Sequence, residues 1–474
     1  EADVTLRSRA DSVYLAREAE LRGRVGALLA PSAEEDPSPA ERVNPSPVEL
    51  DDSSSVGRID PSPAALDDLH RSVGNHADLE IDRLEEEMDI LEADLRTSDP
   101  RYAELAYPRT CTLEEVQQSL LGRDEVLLDY FLADSSSYVW VITPTSFSMH
   151  DLPGRGRIEA EVRSLEPLLQ DGNLLGTDPS YFVLAAGSLS RWLLGPAMPE
   201  ISRARHVVIV PHGILHYLPF EVLLTEEATA RSRGFESLPY LVRRCDVRYA
   251  PSISSLARLR EPDRGERRPR TQDLLLVGDP VASSGRETSA FVSAVVGDAP
   301  LPRASLDEEV RALRNCFAEA ARTSLTRDEA TLSAIRQAGK SGRYRYVHLA
   351  AHGILNERRP RYSGLLLSPD PVAGDDGFLT MEETYSLDLE CDQVVLSACA
   401  SGRGEHLTGE GIQGLTRAFL YAGARSVVAA LWEVSGKETS IFMERLYRQL
   451  DRDDGTDRTR ALAETKRWMI RQRG

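Results

Sequence analysis

The chain has 474 residues and a formal net charge of −20 at pH 7, from 56 Lys and Arg against 76 Asp and Glu. An acidic balance of this size argues against direct nucleic-acid binding and attachment to anionic membranes, both of which need basic patches. Five cysteines without paired spacing do not make a secreted disulfide framework, and no apolar run reaches the ~18 residues of a membrane span.

A hydrophobic content of 41% supports a sizeable core, and the length allows about three domains at ~150 residues each. With no signal-peptide pattern, a reducing cytoplasm is the expected location. Glu1 in place of an initiator Met suggests a piece of a longer protein. Residues 1–30 read as a helix, with Val13, Leu15, Leu21, Val25 and Leu28 set among Arg and Glu. Residues 31–63 turn to Pro, Ser, Asp and Glu, a composition that cannot bury enough apolar surface to order itself, so this is a disordered linker. Residues 64–107 read as a helical collar: Ile81, Leu84, Met88, Leu91 and Leu95 repeat at 3-4-3-4 spacing and form a narrow apolar seam. Two heptads are fewer than a coiled coil needs, so the seam is expected to pack on the chain's own globular part.

From Cys111 strands and helices alternate. EVLLDYFLA (125–133) and YVWVITP (138–144) read as paired strands, and residues 158–169 and 180–194 as helices. HVVIV (206–210) is the fully apolar strand that a parallel sheet buries, and it runs into Pro211 and the tetrapeptide HGIL. HGIL recurs at 352–355, again after an apolar strand, which suggests an internal duplication with halves at 108–262 and 271–474. In the first half the strand CDVRYA leads to Pro251 and Ser252, so a serine stands at the nucleophile's place. His212 has no cysteine at the right distance and reads as a hydrogen-bonded turn residue, and His216 as a cap of the following turn. Cys245 reads as a small core residue.

After an exposed charged linker (260–272), DLLLVGDP opens the second half, and Asp279 is placed to cap its turn. Residues 308–320 and 328–339 read as helices, the first carrying Cys316 as a core residue. RYVHLAAHGILN (345–356) and DQVVLSACASGRGE (392–405) are short apolar strands, Val347–Ala350 and Val394–Ser397, each followed by a small-residue turn that presents His352 or Cys399. Side by side and parallel, they deliver an imidazole to a thiol, which has a pKa near ~8.5 when free and needs such a neighbour to become thiolate at neutral pH. The amides of Gly353 and Cys399 are the expected oxyanion donors. His348 and His352, four apart on a strand, lie ~13 Å apart, too far for one metal ion. No metal or cofactor is called for, and His348 reads as a buried polar partner within the sheet. Thr380 and Glu383 have the spacing of a capping box. Asp375, Asp376, Glu382 and Glu383 read as a solvated face rather than a peptide site. Cys391 reads as inert, Gly423 as a helix stop, and SVVAALW (426–432) as a further buried strand before two amphipathic helices.

HLAAHG, LSACASG and GEGIQGLTRAFLYAGARSVVAALWEV, together with VIVPHGILHYLPFEVLL, YAPSISSL and LLLVGDP, resemble the CHAT domain over roughly residues 110–470. This is a caspase-like family of cysteine peptidases in the clan of caspases, separases and gingipains. The resemblance implies an α/β, three-layer, mostly parallel fold, with 108–262 a pseudo-active half and 271–474 the active half, preceded by N-terminal helices. His352 and Cys399 fall where the family has its dyad, and their spacing of 47 is near the roughly 50 residues found in caspases. Ala400 and Ser401 stand where the family commonly has an acidic residue and Thr. The resemblance also sets Asp279 beside the pocket for the residue before the scissile bond, as a selector of Arg or Lys. It implies a regulated endopeptidase of bacterial signalling or defence that cleaves protein partners and is activated by a protein partner through its N-terminal helical region. The alternative is a catalytically silent caspase-like scaffold or interaction module.

Overall fold

The computed structural model describes Arg24, residues 80, 81, 83, 84, 86 and 87, and 110–472 apart from 171–178, 227–233, 261–269, 282–305, 355–361, 398–399, 402–409, 433–435 and 452–456. The linker 31–63 and most of the expected helix 1–30 and collar 64–107 lie outside the described residues. The chain forms two compact units, Glu1–Pro100 with Thr288–Asp298, and Arg101–Glu287 with Ala299–Gly474. In the first, Arg24 and the described residues between 80 and 87 are helical, Arg24 pairs with Glu80 at 3.6 Å, and Ile81 and Leu84 of the seam are buried. Met88, Leu91 and Leu95 lie outside the described residues.

The second unit holds two five-stranded sheets. The first contains β1 (Glu125–Phe131), β2 (Ser136–Ile142), β3 (Phe147–Pro153), β4 (His206–Val210) and β5 (Asp246–Tyr249) in the order β3-β2-β1-β4-β5. β1, β4 and β5 are parallel, whereas β1, β2 and β3 form an antiparallel meander. Period-2 alternation explains the two cores here. Val126, Leu128 and Tyr130 meet Ile158, Val162 and Leu165 of α1 (Arg155–Gln170) and Phe182, Ala186 and Leu189 of α2 (Ser180–Leu189). Leu127 faces the other way, toward Val208, Val210 and Leu256 of α3 (Ile253–Arg260). The expected second helix continues α2 as a π-helical turn over Ser190–Leu194.

The second sheet is entirely parallel: β6 (Arg270–Gly278), β7 (Arg322–Thr326), β8 (Arg343–Ala350), β12 (Gln393–Leu396) and β14 (Val427–Ala429), ordered β14-β12-β8-β6-β7. One face (Leu274, Leu276, Tyr346, Val395) packs on α4 (Asp307–Cys316), α8 (Gly436–Leu450) and Ala461 of α9 (Arg458–Gln472). The other (Leu275, Val277, Val347, Leu349, Val394, Leu396) packs on Ile335 and Ala338 of α5 (Leu332–Ser341) and on Leu415 and Phe419 of α7 (Glu410–Tyr421). Each fully buried Leu or Val contributes about 1.5–3 kcal/mol of hydrophobic burial, and this doubly covered sheet is the expected three-layer arrangement.

Several elements differ from the sequence reading. The helix expected over 308–320 ends at Cys316, and the edge strand β7 follows it. The helix expected over 328–339 is a 3-10 turn at Arg327–Glu329 and then α5, capped by the Thr331 side chain on the Ala334 N–H. β14 is short and only half-buried, because it lies at the sheet edge. The two HGIL segments differ in backbone: Gly213 has φ +57 in a 3-10 turn, whereas His352–Ile354 is strand.

Gly423 ends α7 in a Schellman arrangement, with φ +108, its N–H on Leu420 O and the Ala424 N–H on Phe419 O. The helix α9 reaches back to the first sheet. Lys466 Nζ meets Glu221 Oε1 at 2.5 Å, and Arg467 meets Asp246 at 2.7 Å.

Candidate functional site

The two strands expected to carry the dyad are neighbours: Val394 lies opposite Val347 and Leu396 opposite Leu349 in parallel register. Beyond their carboxyl ends the chain builds a third, small sheet, part of it a hairpin that the segments SGLLLSPD and GDDGFLTMEETYSLDL suggest. It comprises β9 (His352–Ile354), β10 (Gly364–Leu366), β11 (Phe378–Thr380) and β13 (Ala400–Ser401), ordered β11-β10-β9-β13. His352 is half-buried at the start of β9, opposite Leu366 of β10. β13 runs parallel to β9, with Ala400 opposite Gly353 and Ser401 opposite Ile354. Gly353 therefore stands between Leu365 and Ala400 in the ladder. Cys399 lies outside the described residues; the residues that bracket it, Ser397 and Ala400, flank the strands that end at Ala350 and begin at His352.

Beneath this rim lies a buried polar cluster. The His348 ring is fully buried, with Nε2 3.0 Å from Glu309 Oε1 and Nδ1 3.0 Å from the Tyr447 hydroxyl. The Ser397 hydroxyl donates to the other carboxyl oxygen of Glu309 at 2.8 Å. A carboxylate accepts only, so His348 Nε2 donates to Glu309, while Nδ1 meets the Tyr447 hydroxyl. Burial, then the charge of Glu309, holds the Tyr447 hydroxyl well above its ordinary pKa and so protonated. His348 is thus the buried partner expected of it. The sequence reading missed Glu309, which ties α4 to both strands; a lone Glu on the apolar face of a helix, beside Val310 and Leu313, is its signal.

Asp279 follows β6 at φ +51 and donates its N–H to Ala350 O at 3.1 Å, two residues before His352. Its carboxyl group pairs with Arg327, itself at φ +53, at 3.3 Å, and the Arg327 side chain is largely exposed. The Thr380–Glu383 capping box is present in full at the start of α6 (Met381–Tyr385). Asp375 accepts from the Gly377 and Leu332 amides and Asp376 from Phe378, so part of the supposed solvated acidic face braces its own loop.

Elsewhere, Ser252 caps α3 through the Ser255 N–H, and His212 Nδ1 accepts the Leu132 N–H at 3.2 Å. Cys245 is fully buried and raised by burial to about 11; Cys391, also buried, is raised by burial to about 12, as befits inert core thiols. Cys316, half-buried on α4, is raised likewise. Among the described residues no group of three His, Cys, Asp or Glu is arranged to hold a metal ion, and no helix is long and apolar enough to cross a membrane.

A family model described as the CHAT domain matches residues 184–474. The chain is also similar to tetratricopeptide repeat protein 28 of Mus musculus, 26% identical over 300 residues, and to the Homo sapiens protein of that name, 25% identical over 300 residues. In both cases the match covers 53% of this chain and 11% of the relative.

Proposed function

Because the chain belongs to the CHAT domain family, a caspase-like, peptidase-related group, we propose that it is a cysteine endopeptidase acting through His352 and Cys399. The observation that carries this reading is the pairing of Ala400 with Gly353. Successive Cα atoms are about 3.8 Å apart, so the residue before Ala400 is tethered within one peptide unit of the ladder partner of the residue after His352. In the proposed reaction His352 takes the Cys399 thiol proton and the thiolate adds to a peptide carbonyl carbon. The oxyanion is received by the Cys399 amide and by that of Gly353, for which the β9 ladder competes. The imidazolium then protonates the departing amine, leaving a thioester that a water molecule, deprotonated by His352, hydrolyses to acid and free thiol.

Asp279 is the proposed selector of a basic residue before the cut, where a substrate Arg or Lys would exchange with the exposed Arg327. The first sheet is proposed to be the pseudo-active half of a duplicated fold. Ser252, engaged in capping α3, is consistent with a structural role there. A protein partner acting through the region before residue 110 is the proposed activator.

Incubation of wild type, Cys399→Ala and His352→Ala with a diverse peptide library, read by mass spectrometry, tests the assignment. Cleavage by wild type alone is expected, with His352→Ala reduced about 10²–10⁴-fold, the range of general acid–base catalysis. Equal cleavage by Cys399→Ala would overturn it.

A further inference from the structure

The first sheet has a cavity of its own, of about 410 Å³, at the rim where β1, β4 and β5 end together. Open α/β sheets take ligands at this edge. Asp129, Phe131, Trp140, His212, His216 and Pro251 are among its lining residues. Asp129 breaks the pattern of its strand. It lies on the same face of β1 as Leu127, between Trp140 of β2 and Val210 of β4, where the alternation calls for an apolar residue. Among the described residues no hydrogen bond or ion pair reaches its carboxyl group. A local rule broken without compensation inside the fold is a mark of function.

The walls offer the carboxyl group no counter-charge. The His212 ring accepts the Leu132 N–H at Nδ1, packs 5.0 Å from the Phe131 ring, and has its pKa lowered by burial and then by Arg155. Burial, then His212 and Arg417, pushes His216 down to about 4. Both rings are neutral at pH 7, and the Tyr130 hydroxyl is committed to Leu193 O. The cavity therefore presents one negative group, half-desolvated, among aromatic faces. That combination fits a cation carried on carbon: the charge pairs with the carboxylate while the flanks lie on ring faces.

We propose that this cavity binds an organic cation, an alkylguanidinium or alkylammonium group, paired with Asp129 and flanked by Phe131 and Trp140. The site is separate from His352 and stands whether or not the chain cleaves peptides.

Isothermal titration of the full chain at pH 7 with Nα-acetyl-L-arginine amide, agmatine and Nα-acetyl-L-citrulline amide tests it. The arginine amide represents a peptide's basic side chain, agmatine a free amine, and citrulline the neutral shape. Saturable binding of at least one cation is expected, with citrulline weaker by about tenfold or more, the loss of one charge-assisted pair. Tighter binding of the amide assigns the ligand to a peptide, and tighter binding of agmatine to a small amine. Asp129→Asn keeps the shape and removes the charge, and should weaken the cation by about tenfold or more without changing citrulline. Phe131→Leu, at an exposed rim position, should weaken it by a few-fold. No saturation with either cation, or equal binding of citrulline, or full affinity in Asp129→Asn, would overturn the proposal.

Discussion

Replacing Glu309 by Ala removes the acceptor of two buried hydrogen bonds, from His348 Nε2 at 3.0 Å and from the Ser397 hydroxyl at 2.8 Å. Both donors stay buried without a partner, since Glu309, His348 and Ser397 are all nearly inaccessible to water. A hydrogen bond to a charged group contributes about 1.5–3 kcal/mol, and stripping one partner from a buried charged cluster costs about 3–5 kcal/mol. Glu309→Ala is therefore expected to lose about 3–5 kcal/mol, allowing also for the small cavity. Glu309→Gln keeps one acceptor, and Ser397 can rotate to accept from the new amide, so it should lose only about 1–2 kcal/mol. Urea unfolding followed by circular dichroism, at fixed m-value, gives both numbers. A Glu309→Ala midpoint within the error of wild type would refute the reasoning, and so would Gln proving as damaging as Ala. Because Ser397 lies two residues before Cys399, Glu309→Gln should also lower peptide cleavage at temperatures where it remains folded.

Gly423→Ala forces a side chain into φ +108 and sets a Cβ 2.9 Å from the Glu390 nitrogen, so a loss of about 1–3 kcal/mol is expected in the same unfolding assay. Burial raises the pKa of Asp129 from 3.8 to about 6, a cost to the fold that is present above that pH and disappears below the ordinary carboxylate value. Asp129→Asn should thus stabilise the protein at pH 7 by about 1–2 kcal/mol, after discounting for partial exposure, and the gain should vanish near pH 4 in thermal melts. Glu221 is shifted in the opposite sense: burial opposes its charge, but Lys466 and Tyr249 together hold its pKa below the usual range. The stability this pair gives is present at pH 7 and lost as pH falls through the lowered value. Lys466→Met should therefore cost about 2–4 kcal/mol at pH 7, and its gap to wild type should narrow on acidification. Asp279→Asn should abolish any preference for Arg or Lys before the cut; an unchanged cleavage profile from the peptide library would remove Asp279 from the substrate pocket.

Much of the second sheet was legible because its strands are continuous apolar runs and its helices carry explicit end signals. Val347–Ala350 and Val394–Leu396 lie side by side as their composition implied, and Thr380 with Glu383, and Gly423, mark helix ends by chemistry local to a few residues. β9 and β13 escaped notice because strands of three and two residues carry no measurable period, and their partners are fixed only once β8 and β12 are side by side. β7, RTSLT, is half-buried throughout and has no alternation to read. Asp129 was passed over as a single acidic residue inside an apolar run, and Glu309 because it stands third in the acidic first turn Asp307, Glu308, Glu309; in neither case does sequence show whether a partner waits for it. For Glu309 the fold supplies His348 and Ser397; for Asp129, among the described residues, it supplies none.

The grip of α9 on the first sheet has a consequence for the order in which the protein is made. On a ribosome, Glu221 and Asp246 emerge more than two hundred residues before Lys466 and Arg467. During that interval both carboxylates must stay hydrated, because closing the first half around them without their cations costs several kcal/mol. The first half to be synthesised is thus among the last to be sealed. A nascent chain stalled before residue 458 should expose the surface around β5 to chaperones and proteases, although every strand of that sheet has already been translated.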